Sequence, residues 1–248
     1  MQKINTGVEL SEDYIKVVQR TVELERLMTR ARERKHLLVF GPEGVGKTRL
    51  LQEFCRVMPL ALYVPQSNSP HDFLLSLVDT LRTKLGPRSL PSNTSSMSTG
   101  GLKANVDKAM NAKPFFLVVD HVQSPSRVVS KILKELGYYG RTPVFFAARS
   151  SHMEDIGALQ SLCYDKKERL EVMNWPPEIA LEFAYREAAR MNLSASNLDT
   201  ALQSIVQRAA GNPGSILGML KMTGRMQYRI DDQIKIHILC LDYRMGRR

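Results

Sequence analysis

The sequence predicts an α/β fold, a parallel sheet covered by helices on both faces (an αβα sandwich), followed by a small C-terminal helical lid. Three observations predict it. Short apolar runs recur at His36–Phe40, Leu60–Val64, Phe115–Val119 and Val144–Ala148, with a weaker one at Arg169–Met173. The first four are continuous rather than alternating, the pattern of a strand buried on both faces. Helix-periodic stretches separate the runs, and after Trp175-Pro176-Pro177 the strand signal stops. Strands alternating with helices imply parallel pairing.

Taken in order, residues 8–35 read as a helical approach segment, with Val22, Leu24 and Leu27 set among charges. After the first strand and a glycine-rich turn, Thr48–Val57 has Leu50, Leu51 and Phe54 at inward spacing and is closed by Met58-Pro59. His71–Leu85 carries Phe73, Leu74, Leu77, Val78 and Leu81 at helical intervals. Residues 86–101 are rich in Ser, Thr, Pro and Gly and read as a loop. Leu102–Asn111 reads as a short helix and Ser126–Leu136 as another, stopped by Gly137. Beyond the double proline, Ile179–Met191, Leu198–Ala210 and Pro213–Met222 are helical. Ile234, Ile236 and Ile238 alternate with polar residues and predict a strand. The expected division is a core at 1–174, a lid at 175–222 and an extension at 223–248 of unassigned role.

A chain of 248 residues holds one larger domain, or one with a small appendage. No apolar run approaches the ~20 residues of a membrane span. Met1-Gln2-Lys3 opens no secretory signal, and Cys55, Cys163 and Cys240 lack disulfide or metal spacing, so a cytoplasmic protein is expected. No Ser/His/Asp set, carboxylate pair or zinc spacing stands out. The net charge of +10 favours a polyanionic partner.

The strongest chemical signal is Gly41-Pro42-Glu43-Gly44-Val45-Gly46-Lys47-Thr48, a GxxxxGK[ST] loop between a strand and a helix, with Arg49 next. Glycines let successive N–H groups turn into one concavity that binds phosphate oxygens. The following helix adds its positive N-terminal end. Lys47 is expected to reach the β- and γ-phosphates and the Thr48 hydroxyl to ligate Mg²⁺. Such a site needs an acidic residue at the end of a neighbouring strand, and Asp120, after Phe115–Val119, supplies it. Arg149 follows Val144–Ala148, at the strand end where parallel sheets place ligands, and is expected to sense the γ-phosphate.

Together these residues resemble the AAA+ ATPases and their STAND relatives over residues 17–222. Arg20-Thr21-Val22-Glu23-Leu24 is similar to the stretch that precedes the phosphate loop there. Gly41–Thr48 matches Walker A, Phe115–Asp120 Walker B, and Arg149 sensor 1. Ala210-Gly211-Asn212-Pro213-Gly214 resembles the GNP-type lid motif, which makes Pro213 a candidate contact to the adenine base. His121, a residue able to accept a proton, stands where many relatives carry the glutamate that orients water, which implies slow hydrolysis or hydrolysis completed by a group from elsewhere. The lid motif lacks the sensor 2 arginine, and an arginine finger falls among Lys166, Lys167 and Arg169 without being assignable. Residues 223–248 are too few for a winged helix or a repeat array. A short, basic core-plus-lid chain is most similar to transposition-regulator ATPases of the MuB, TniB and TnsC kind. That resemblance implies ATP and Mg²⁺ as cofactors and sequence-tolerant binding of double-stranded DNA. It also implies self-association into a ring or helical oligomer, a partner such as a recombinase or transposase, and no membrane. Arg88, Lys103 and Lys108, with Arg244, Arg247 and Arg248 in the tail, are the candidate DNA contacts. The alternative is a STAND-like switch that signals through a protein partner without DNA.

Overall fold

The computed structural model describes residues 20–65, 69–86, 88–91, 93–138 and 142–246. The chain divides into two compact units: Met1–Gly41 with Lys47–Val172, and Pro42–Gly46 with Met173–Arg248.

In the first unit, β1 (Leu37–Phe40) leads into α2 (Lys47–Val57), after an entry helix α1 (Thr21–Arg32). There follow β2 (Ala61–Val64), α3 (Pro70–Leu85), α4 (Thr99–Met110), β3 (Phe116–Val119), α5 (Arg127–Tyr138) and β4 (Val144–Ala148). The one-turn helix α6 (Met153–Ile156), two 3₁₀ turns and β5 (Arg169–Glu171) complete it. The five strands form one sheet in the order β2-β3-β4-β1-β5, every pair parallel. Leu38, Leu62, Val64, Leu117, Val119, Phe146 and Ala148 share a buried cluster with the inward residues of α3, α4 and α5. The alternate residues face the other way, where the Phe54 ring of α2 lies 5.1 Å from that of Phe145, and α1 packs on α2. Both sheet faces are therefore dry, as the unbroken apolar runs require.

Two readings of this unit need correction. Gly137 does not stop α5, which runs on to Tyr138. A Cβ there would stand 3.0 Å from His36 Cε1 and 3.3 Å from Leu162 Cδ2, so this glycine serves close packing rather than a turn. The Ser/Thr-rich loop is also shorter than expected. Ser98 caps α4 by accepting from the Gly101 N–H at 3.2 Å, and Leu90 and Thr94 are buried.

The second unit holds α7 (Pro177–Arg190), α8 (Leu198–Ala209), α9 (Pro213–Thr223), a two-stranded hairpin of β6 (Arg229–Ile230) and β7 (Gln233–Ile234), and α10 (Ile236–Met245). Ala180, Ala184 and Ala188 recur every fourth residue along α7 and line its buried face, where small side chains let helices approach closely. The residues past 223 belong to the same core. Tyr228, Ile234, Leu239 and Cys240 pack with Leu202, Ile205, Ile216 and Leu220, and the Tyr228 hydroxyl donates to Asp242 Oδ2 at 2.9 Å. The predicted strand through Ile234, Ile236 and Ile238 is overturned. Only Gln233–Ile234 pairs, and from Ile236 the chain is helical because helix spacing is what buries Leu239 and Cys240.

Candidate nucleotide site

Three of the predicted site residues lie at the carboxyl ends of neighbouring strands in the first unit. Gly41 follows β1, Arg149 follows β4 and Asp120 follows β3, and β4 lies between β1 and β3. The strand ladder continues into them. The Gly41 N–H donates to Arg149 O at 3.3 Å, and the Asp120 N–H to Val64 O at 2.9 Å. The crevice outside the carboxyl ends of parallel strands is where such folds take ligands.

Asp120 is 2% exposed. Its carboxylate is held from two sides: the Tyr63 hydroxyl of β2 donates to Oδ2 at 2.8 Å, and the His121 N–H to Oδ1 at 2.8 Å. His121 sits in the left-handed region at φ 52°, with its ring mostly in solvent and Nδ1 3.3 Å from Asp120 Oδ1. Tyr63 is a site residue that the sequence did not single out. Its one signal is a tyrosine inside an otherwise aliphatic strand, one place before the strand ends. Burial and the bond to Asp120 push the phenol up, above its ordinary range.

Lys47 opens α2 and donates to Gly41 O at 2.6 Å. Thr48 is next, half-buried, and Arg49 is exposed. Gly44 (φ 77°) and Gly46 (φ 102°) have backbone signs that only glycine takes freely. Within the second unit, Gly44 O accepts from the Gly214 N–H at 2.9 Å, and Glu43 O accepts from Asn212 Nδ2 at 2.9 Å. Pro213 is buried at the first position of α9.

Arg149 is exposed, and its guanidinium lies 3.3 Å from Asp155 Oδ1. Asp155 also accepts from Ser150 Oγ at 2.5 Å. The Ser150 bond is the chief reason that this carboxyl is held below its ordinary range, with Arg149 adding to it against burial.

Among the outlying predicted residues, Lys103 is engaged by Asp107 at 2.7 Å and Glu135 at 3.2 Å. Arg169 Nε donates to Cys163 O at 2.9 Å. Arg88, Lys108, Lys166, Lys167 and Arg244 are exposed. Arg247, Arg248 and the start of the approach segment, residues 8–19, lie outside the described residues.

The donor chemistry fits a nucleoside polyphosphate with Mg²⁺. A loop with positive-φ glycines at Gly44 and Gly46 runs into a helix N-terminus, and an ammonium and a hydroxyl follow it directly. A Cβ at Gly46 would meet nothing within 4 Å, so open space borders the loop there. One buried carboxylate and one hydroxyl suit a metal that takes one or two protein ligands and completes its shell with phosphate and water.

No protein-family model matches the chain, and no curated protein does either. Solved structures do. The Walker-type ATPase PABY2304 of Pyrococcus abyssi is 16% identical, with 92% of this chain and 73% of that one covered and a TM-score of 0.63. The replication initiator DnaA, bound to AMPPCP and single-stranded DNA, is 14% identical, with 88% and 66% covered and a TM-score of 0.56. The STAND protein PH0952 of Pyrococcus horikoshii, which has a tetratricopeptide repeat sensor, is 14% identical, with 92% and 32% covered and a TM-score of 0.52. At these identities the likeness is one of fold, and the fold is the α/β core of a P-loop ATPase.

Proposed function

We propose that the chain is an AAA+-type ATPase that binds ATP with Mg²⁺. In this reading it binds double-stranded DNA in a nucleotide-dependent oligomer and recruits or regulates a partner enzyme such as a recombinase or transposase. The observation that supports the nucleotide part is that Lys47 and Thr48 follow β1, and the buried Asp120 follows β3, at the carboxyl ends of strands in the same parallel sheet. Lys47 would leave Gly41 O and neutralise phosphate charge, while Thr48 and Asp120 would hold the metal. Bound Mg²⁺ would supply charge neutralisation on the phosphate oxygens. Arg149, itself exposed, would leave the buried Asp155 for the terminal phosphate, with the Ser150 hydroxyl still donating to that carboxylate. Pro213 is assigned to the base. His121, with its ring turned toward Asp120, is a poor substitute for a water-orienting glutamate, so turnover is slow.

DNA binding rests on the net charge of +10 and on the fold shared with DnaA. The test is fluorescence anisotropy of a random-sequence duplex titrated with protein, with and without Mg-ATP, beside Lys47→Ala. Binding that needs Mg-ATP and disappears in Lys47→Ala is the expected result. The likeness to PH0952 and the arginine at position 149 favour a second reading, a STAND-like switch. A protein that binds ATP tightly, stays monomeric and ignores duplex in both conditions would sink the DNA reading and leave the switch.

A further inference from the structure

The Gly211-Asn212-Pro213-Gly214 turn touches the backbone of the phosphate loop with one side-chain and one backbone donor, within the second unit. Asn212 Nδ2 donates to Glu43 O at 2.9 Å, and the Gly214 N–H donates to Gly44 O at 2.9 Å. The approach is tight. A Cβ on Gly214 would lie 2.7 Å from Gly44 Cα, and one on Gly44 would lie 2.7 Å from Asn212 Oδ1.

A trans peptide is planar and points its C=O and N–H in opposite directions. Holding Glu43 O therefore aims the Gly44 N–H away from Asn212, and holding Gly44 O aims the Val45 N–H away from Gly214. The Val45 N–H already points across its own loop, to Pro42 O at 3.4 Å. The Gly44 N–H, and the Val45 N–H once it leaves Pro42 O, would then face the concavity in which such loops bind phosphate oxygens.

The start of α9 is arranged to make both contacts. The first N–H groups of a helix have no intrahelical acceptor. Pro213 has none to satisfy, Gly214 gives its N–H to the loop, and the Ser215 N–H goes to Asn212 Oδ1 at 3.0 Å. Asn212 thus works with both ends. Its oxygen caps α9, and its two amide hydrogens go to Glu43 O and to Asn174 Oδ1 at 3.1 Å.

We propose that Asn212 and Gly214 are positioning residues for the phosphate loop, setting the direction of the Gly44 and Val45 N–H groups toward a nucleoside polyphosphate. The proposal rests on the nucleotide reading above and adds that the 211–214 turn governs recognition of the phosphate chain. The linkage is reciprocal: a polyphosphate that orders the loop also tightens the turn.

Asn212→Ser tests it, because serine is as good a cap as asparagine but too short to reach Glu43. The first readout uses no nucleotide. Amide hydrogen exchange over residues 41–48 is expected to quicken about tenfold, the equivalent of one hydrogen bond, while the melting temperature stays close to that of the unaltered protein. The second is calorimetric binding of ADP, AMP and adenosine. ADP affinity is expected to fall about tenfold, with adenosine unchanged. Asn212→Asp keeps a capping oxygen and loses the same donors, and must behave alike if the serine variant fails to fold. A folded variant with unaltered exchange and unaltered ADP affinity would overturn the proposal. If the unaltered protein itself binds no ADP, the nucleotide reading fails, and the exchange data alone decide whether the turn holds the loop.

Discussion

Tyr63 and Asp120 form the contact on which the metal end of the proposed site would depend. The Tyr63 hydroxyl reaches Asp120 Oδ2 at 2.8 Å, and with the phenol pushed up it remains a donor throughout the working pH range. Tyr63→Phe deletes this bond and leaves the ring in place. Steady-state ATPase kinetics should then show kcat lowered about tenfold or more with KM for ATP within about twofold, since a hydrogen bond to a charged group is worth roughly 1.5–3 kcal/mol. Asp155 carries a different signature. Its carboxyl is held down chiefly by Ser150, so the charged form is favoured in the folded state. That stability is present above the ordinary carboxylate pKa and is lost as the pH falls through the lowered folded value. Urea unfolding from pH 7 down to pH 3 should show a steeper acid loss for the unaltered protein than for Asp155→Asn.

At the level of elements, glycines with different duties look alike in sequence. Gly211, at φ 72°, follows the C-cap of α8, Ala210, at φ 48°. A Cβ at Gly211 would collide with the Trp175 carbonyl, while the Trp175 N–H donates to Gly211 O at 3.0 Å. Gly211→Ala meets both a backbone penalty and an overlap with backbone. A loss of about 3 kcal/mol is expected from the two together. The single tryptophan, Trp175, reports at this point, so urea unfolding followed by its fluorescence measures the loss directly. Gly137, by contrast, lies inside α5 and exists to admit His36 and Leu162. Nothing in the local sequence distinguishes it from a helix stop.

Across the whole molecule, the net charge of +10 speaks to partners and not to fold. The exposed cations include Arg88, Lys108 and Arg244, whereas Lys103 is occupied by Asp107 and Glu135. In the duplex titration proposed above, each phosphate neutralised should add about −0.9 to the slope of log affinity against log salt. Charge drawn into ion pairs does not contribute, so the slope reads how many of the cations face the backbone. The likeness to solved structures has the same scale, since it reports an arrangement of strands and helices and leaves individual side chains aside.

The parts legible in the sequence are those whose cause is local. Continuous apolar runs are strands buried on both faces wherever they lie. Gly41–Thr48 is an octapeptide whose pattern is complete within one turn of chain, and Asp120 stands out as a candidate because it ends the most apolar run. The alternating isoleucines misled because two-residue periodicity over so short a stretch cannot compete with a helix that buries Leu239 and Cys240. Only the tertiary structure could pair Tyr63 with Asp120, 57 residues apart, or Asn212 with Glu43, 169 apart. Likewise, it alone placed Arg149 against Asp155. A strand's burial follows from its own composition. The partner of a polar group follows from which strand ends and which helix starts the fold brings together, and no local pattern encodes that.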